Sequence, residues 1–207
     1  MRFLLIVLAA LAATGCAVGN KHNYTMAPEL GAQGARPVAV ATQDARAYVV
    51  NRQKTPDFVG VQRGGFGNPF DVTTESGRPL ADDFSGAVAS ALSRRGFNAT
   101  AISVAPSTAP PDVRALAAKS GAERLALLSL HEWKSDTYQN TALHYEVTLR
   151  VFDAAGTELA QARVAGNDNL GGSAWNPPEH AKGAVPAAFR KKLEELFGNE
   201  AVVRSLR

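Results

Sequence analysis

Over residues 142–152, Leu143, Tyr145, Val147, Leu149 and Val151 alternate with His144, Glu146, Thr148, Arg150 and Phe152. Successive side chains of a strand point to opposite faces, so this period-two pattern predicts a strand with one core face and one wetter face. Asp153-Ala154-Ala155-Gly156 supplies a turn directly after it, and Thr157 to Val164 is expected to return antiparallel. Upstream, Leu125-Ala126-Leu127-Leu128-Ser129-Leu130 is apolar on both faces, which places it in the middle of a sheet with cover on each side. Residues 124–133, 142–152 and 157–166 therefore predict an antiparallel three-stranded meander.

The rest of the chain supplies the partners of that meander. Val38 and Val40 share one face of a short strand over 37–42, and Tyr48-Val49-Val50 and Phe58-Val59-Gly60-Val61 are further strand candidates. The Gly64-Gly65-Phe66-Gly67-Asn68-Pro69 run reads as a turn within a loop region over 62–78. It lacks the following Lys-Ser/Thr and helix of a phosphate-binding loop. Pro79, Asp82 and Asp83 suit a helix N-terminus, and Phe84, Ala87, Val88, Ala91 and Leu92 form one stripe. Arg94, Arg95 and Gly96 close that helix. A strand over 97–104 and a short helix over 112–120 ended by Gly121 follow. Near the C-terminus, Val185, Phe189, Leu193, Leu196 and Phe197 make a last apolar stripe, with Pro186 expected to start or kink its helix. The expected fold is α+β or α/β in two layers, a mixed sheet with a C-terminal meander packed by about three helices.

The first sixteen residues carry an address. Arg2 precedes an uncharged apolar run of eleven residues, Phe3 to Ala13. A spanning helix needs about 20 such residues, so the run has the proportions of a secretory signal. Ala13-Thr14-Gly15-Cys16 then resembles the lipobox of bacterial lipoproteins, matching at Gly15 and Cys16 and departing at Ala13, where Leu is preferred. The resemblance implies cleavage after Gly15 and a diacylglyceryl thioether on Cys16. Ala17, where Asp would favour inner-membrane retention, implies the outer membrane, with the domain facing the periplasm. The competing reading is an ordinary signal peptide with a coincidental cysteine. Cys16 is the single cysteine of the 207 residues, so no intramolecular disulfide can form. The expected organisation is a signal peptide over 1–15, a lipidated flexible linker over 16–36 and one domain over 37–207. About 20 flexible residues reach some 25 Å.

Together with the lipobox, Val38-Ala39-Val40, Phe84 to Gly96-Phe97 and the meander before Ala184 to Arg207 resemble the YajG-like bacterial outer-membrane lipoproteins. Ser120-Gly121-Ala122-Glu123-Arg124-Leu125 is similar in layout to the N-terminal α/β domain of TolB-type periplasmic proteins. Neither resemblance carries a catalytic residue onto this chain.

Composition and motifs narrow the chemistry. Once Arg2 leaves with the signal, 21 basic residues face 19 acidic ones, too even a balance for a nucleic-acid surface. His22, His131, His144 and His180 show no metal-ligand spacing; His144 and Glu146 share a strand face but lack further ligands. No GxSxG elbow exists. Asp82 and Asp83 are expected as helix-dipole partners, Trp133 as packing, and Trp175 as an interface anchor or a ring folded back on the domain. The sequence reading is a non-enzymatic envelope lipoprotein, without cofactor or metal. Its expected partners are membrane lipid through Cys16 and other envelope proteins. The alternative is a binder of a small ligand or envelope polymer through loops 62–78 and 166–177.

Overall fold

The computed structural model describes residues 19–207, and Gly15 and Cys16 lie outside them. Everything is arranged about one long strand, β6 (Arg124–Thr137). One edge of β6 pairs along its whole length with antiparallel β7 (Asn140–Asp153), which pairs in turn with β8 (Glu158–Gly172). This is the predicted meander. The other edge of β6 is shared. Its first half pairs in parallel with β2 (Pro37–Asp44), from Val38↔Arg124 to Asp44↔Leu130. Its second half pairs in parallel with β3 (Phe58–Arg63), from Gly60↔Ser135 to Gln62↔Thr137.

The sheet therefore forks. Beyond β2 lies parallel β5 (Asn98–Ser103); beyond β3 lie antiparallel β4 (Pro69–Thr74) and then β1 (Lys21–His22), which runs parallel to β4. Gly60 permits the second branch, because a Cβ there would stand 2.1 Å from the Ser135 hydroxyl and 2.4 Å from its carbonyl oxygen.

Five helices complete the described residues: α1 (Ala47–Val50), α2 (Leu80–Arg94), α3 (Val113–Ser120), α4 (Pro177–Gly198) and α5 (Glu200–Leu206). Helices α2, α4 and α5 bury Phe84, Val88, Leu92, Phe189, Leu193, Phe197, Val202 and Leu206 in one core. From the sheet, Val40, Leu128, Trp133, Val147 and Leu149 join them. The alternate residues of β2 and β6, Ala39, Ala41, Leu125 and Leu127, form a smaller core with Phe152, against which Val113 and Leu116 of α3 pack. The both-face apolar run is thus covered on each side, as its composition requires. The fold is α+β on a mixed sheet, with five helices where about three were expected.

Several local expectations give way. Tyr48-Val49-Val50 is helical, because Asp44 fixes the Arg46 backbone and the Arg46 carbonyl accepts from the amides of Val49 and Val50. The 62–78 region is a hairpin, with Val72 of β4 buried. Helix α4 runs through Pro186, which is buried, since Asn176 accepts from the Glu179 amide and starts the helix well before Val185. Residues 167–172 belong to β8; Asn167 and Asn169 are exposed on one face while Leu170 packs against the main core from the other, and pairing with β7 holds the segment.

The largest correction is the linker. Within residues 19–36, Tyr24, Leu30 and Ala32 are buried in the main core. Arg94 donates to the Pro28 carbonyl, Arg95 to the Ala32 carbonyl, and the Glu29 amide donates to Glu194. A Cβ on Gly34 would meet the Phe97 ring at 2.4 Å. The segment is a strap laid over α2 and α4. Apart from the two residues of β1 it has no regular secondary structure and hence no period, which is why its Gly and Pro residues read as a linker.

Candidate functional site

Three loops meet at one end of the sheet. The β3–β4 turn, closed by Gly64 donating to the Asn68 carbonyl and Gly67 to the Gly64 carbonyl, lies beside the β6–β7 turn. Tyr138 of the latter donates to the Gly65 carbonyl at 3.3 Å, and Arg63 holds Asp136 through two bonds of 2.8 and 2.6 Å. On the other side, Ser173, just past β8, donates its amide to the Gln139 carbonyl. Its hydroxyl then accepts from the amides of Trp175 and Asn176.

This end is rimmed by aromatics. Phe66 and Trp175 are each 97% exposed and Tyr138 is 46% exposed. Between β6, β7 and β8 runs a shallow groove of about 350 Å³ lined by Asp136, Tyr138, Asn140, His144, Asn167 and Asn169. Its chemistry is that of amide, carboxylate, imidazole and phenol groups, suited to hydrogen bonding an uncharged polar ligand.

His144 thus does face a groove, but Glu146, its partner on the strand face, is engaged by Arg163 at 2.9 Å. Among the described residues no cluster of three or more His, Cys, Asp or Glu could hold a metal ion. His180 sits against the Leu170 carbonyl at 3.1 Å. Trp133 is wholly buried, donating its indole N–H to Tyr24. Trp175 is not folded back. Asp82 and Asp83 both lie in the first turn of α2, as expected, and Asp83 is in addition buried and held by Arg78 at 2.7 Å and by the Ser76 hydroxyl at 2.7 Å.

Two polar clusters escaped the sequence reading. At the fork, where β2 has ended and β3 has not begun, Arg46 fills the gap. It is fully buried and clamps Asp44 at 2.8 and 2.6 Å. It also donates to the carbonyls of Phe58 at 2.7 Å and Trp133 at 3.3 Å. Tyr48 donates to Glu132 at 2.6 Å beside it. These groups satisfy the edge of β6 that neither strand reaches. Burial alone would lower the Arg46 pKa, but the bonds and charge of Asp44 reverse that, so the guanidinium stays charged.

The second cluster sits between α4 and β8. Lys192 donates to the Tyr145 hydroxyl at 2.7 Å and pairs with Asp168 at 2.8 Å. The hydrogen bond from Lys192 holds the Asp168 carboxyl below its usual pKa. Burial pulls Lys192 down, yet Asp168 and Tyr145 outweigh it and raise the ammonium pKa. A carboxyl kept ionised and an amine kept protonated are poorly matched to proton transfer near neutrality. Alternation put Tyr145 on the core face, but nothing in the sequence linked it to Lys192, 47 residues away.

No family model and no curated protein matches the chain. Among solved structures it is similar to XCC0632 from Xanthomonas campestris, of family DUF330. That pair is 11% identical, covering 86% of this chain and 91% of that one at TM-score 0.48. It is similar to the PelC dodecamer from Paraburkholderia phytofirmans at 16% identity, 80% and 91% coverage and TM-score 0.37. It is similar to lipoprotein GNA1162 from Neisseria meningitidis at 11% identity, 78% and 99% coverage and TM-score 0.33.

Proposed function

We propose that this chain is a non-enzymatic lipoprotein of the bacterial envelope, anchored through acylated Cys16 in the outer membrane and presenting its domain to the periplasm. It acts there through contacts with other envelope proteins. The observation that carries the reading is the lipobox resemblance of Ala13-Thr14-Gly15-Cys16 behind a short apolar run, and the tether it implies is short. Lys21 already pairs with Thr73, so five residue steps separate the lipidated position from the folded domain. Fully extended they cover about 17 Å, at 3.3–3.6 Å per residue. A two- or three-chain lipid would hold such a domain stably at the bilayer surface, and no described helix is long and apolar enough to cross a membrane. The Cys16→Ser variant is expected to lose palmitate labelling and to leave the membrane fraction. Identical fractionation of variant and wild type, with no label in either, would sink the anchor. Crosslinking in intact cells then identifies the partner proteins.

A second reading is favoured by the polar groove at the aromatic end. Its amides and carboxylate suit a hydroxyl-rich small ligand or envelope polymer reached from the 62–78 hairpin and the 166–177 segment. A ligand-dependent rise in Tm that Asn167→Ala removes would support it; indifference of Tm to soluble envelope polysaccharide fragments counts against it.

A further inference from the structure

We infer that the end of the sheet bearing Phe66, Tyr138 and Trp175 is the face this domain lays on the bilayer, with Phe66 and Trp175 seated among the lipid headgroups. This rests on the Cys16 anchor proposed above and adds an orientation and a lipid contact to it. The first support is strand register. β1 runs parallel to β4, with Lys21↔Thr73 and His22↔Thr74, and the Asn20 carbonyl accepts from the Thr73 amide. β4 begins at Pro69, beside the Phe66 turn. Lys21 therefore enters the sheet only four strand residues from that turn. Pro69 lies four residues before Thr73, about 13 Å along the strand, and a five-residue tether spans at most about 17 Å, so the rim lies within the anchor's reach. The opposite end of β6 lies about ten strand residues from the level of Lys21, about 33 Å at 3.2–3.4 Å per residue, beyond a five-residue tether.

The second support is where exposed apolar side chains fall. Of the five large hydrophobics exposed among the described residues, Phe66, Tyr138 and Trp175 are on this end, and Met26 and Leu159 are not. All three sit on loops tied to one another by the Tyr138–Gly65 and Ser173–Gln139 hydrogen bonds. The loops are also braced. Gly67 takes a left-handed φ of 82° in the Phe66 turn, and Trp175 is held between Ser173 and the Pro177 start of α4. The backbone of both turns is thereby held in place. The third support is the side-chain chemistry: Trp and Tyr, each with an apolar body and a polar tip, collect at the headgroup level of membranes.

The test uses the full-length lipidated protein reconstituted into phosphatidylethanolamine–phosphatidylglycerol vesicles whose acyl chains are brominated. Trp133 is buried in the core, so Trp175→Phe isolates its emission, and the difference from wild type is the signal of Trp175. The expected result is flotation with the vesicles, with Trp175 emission quenched by the brominated lipid and sheltered from aqueous iodide. Flotation with Trp175 open to iodide and unquenched by brominated lipid overturns the orientation while leaving the anchor intact, and frees the rim for a polymer or protein. Failure to float overturns both.

Discussion

The indole nitrogen of Trp133 donates to the Tyr24 hydroxyl at 3.1 Å, joining the long strand β6 to the N-terminal strap. Around this bond Tyr24, Phe84 and Phe189 pack with ring centroids 4.7–6.5 Å apart, in mostly edge-on geometry. Residues that resembled a tether are therefore part of the core. Tyr24→Phe strands a buried N–H and is expected to cost about 1–3 kcal/mol. Tyr24→Ala also opens a cavity and should cost about 3–5 kcal/mol. Urea unfolding of the two variants measures this; losses below about 0.5 kcal/mol, typical of surface positions, would mean the strap is not part of the fold.

Arg46 and Asp44 predict a different pattern. Both are buried, at 0% and 1% side-chain exposure, so removing one partner leaves the other charge without compensation. Arg46→Ala is expected to destabilise by about 3–5 kcal/mol. Replacing both groups with apolar residues, as Asp44→Leu with Arg46→Met, should recover part of that loss. A double variant as unstable as the sum of its single variants would argue that the carbonyl bonds to Phe58 and Trp133 matter more than the ion pair.

His22 gives a pH dependence. Burial first, and then the charge of Lys182, lowers its pKa from 6.5 to about 4. Between those values the unfolded chain binds a proton that the folded one does not, so stability rises with pH across the window and falls on acidification from about 6.5 towards 4. The difference is on the order of 3 kcal/mol, at 1.36 kcal/mol per pKa unit. Urea midpoints measured from pH 7 to pH 4 should show this slope. His22→Gln should flatten it between about pH 6.5 and pH 5; below that, the carboxylates lowered by Lys192 or by the Asp153 turn add their own slope as the unfolded chain begins to protonate them. An unchanged slope in the variant would assign the dependence elsewhere.

At the α4–β8 seam, Lys192→Met keeps the aliphatic stem but removes the bonds to Tyr145 and Asp168. Asp168 is partly exposed and can be rehydrated, so the expected cost is modest, about 1–2 kcal/mol. The Asp168 carboxyl should move back up towards its ordinary pKa, a change that carbon-detected NMR titration reads directly. An Asp168 titration identical in both proteins would show that the ammonium is not what keeps it ionised.

What could be read in the chain was whatever repeats. Leu143 to Val151 and the stripe from Phe84 to Leu92 announced a strand and a helix. Asp153 to Gly156 placed the turn of the meander, and the alternate burial of Leu125 and Leu127 against Ala126 and Leu128 followed from composition alone. Phe66 was within sight, an aromatic set in a Gly-Gly-Phe-Gly turn where no burial is available, yet a loop reading gave no reason to single it out. Trp175 could be named but not aimed. Tyr24 and Leu30 were hidden because a strap without a period leaves no pattern, whatever it buries.

The sequence by itself determined the segments with regular spacing and the lipobox resemblance at Cys16, because periodicity and a short leader are local properties. Only the tertiary structure decided the rest. It forked the sheet at Gly60 and Arg46, brought Lys192 to Asp168, and gathered Phe66, Tyr138 and Trp175 at one end of the sheet. Those relations join residues tens of positions apart. They depend on strand register and direction, which pairing across the whole sheet establishes and no local pattern records.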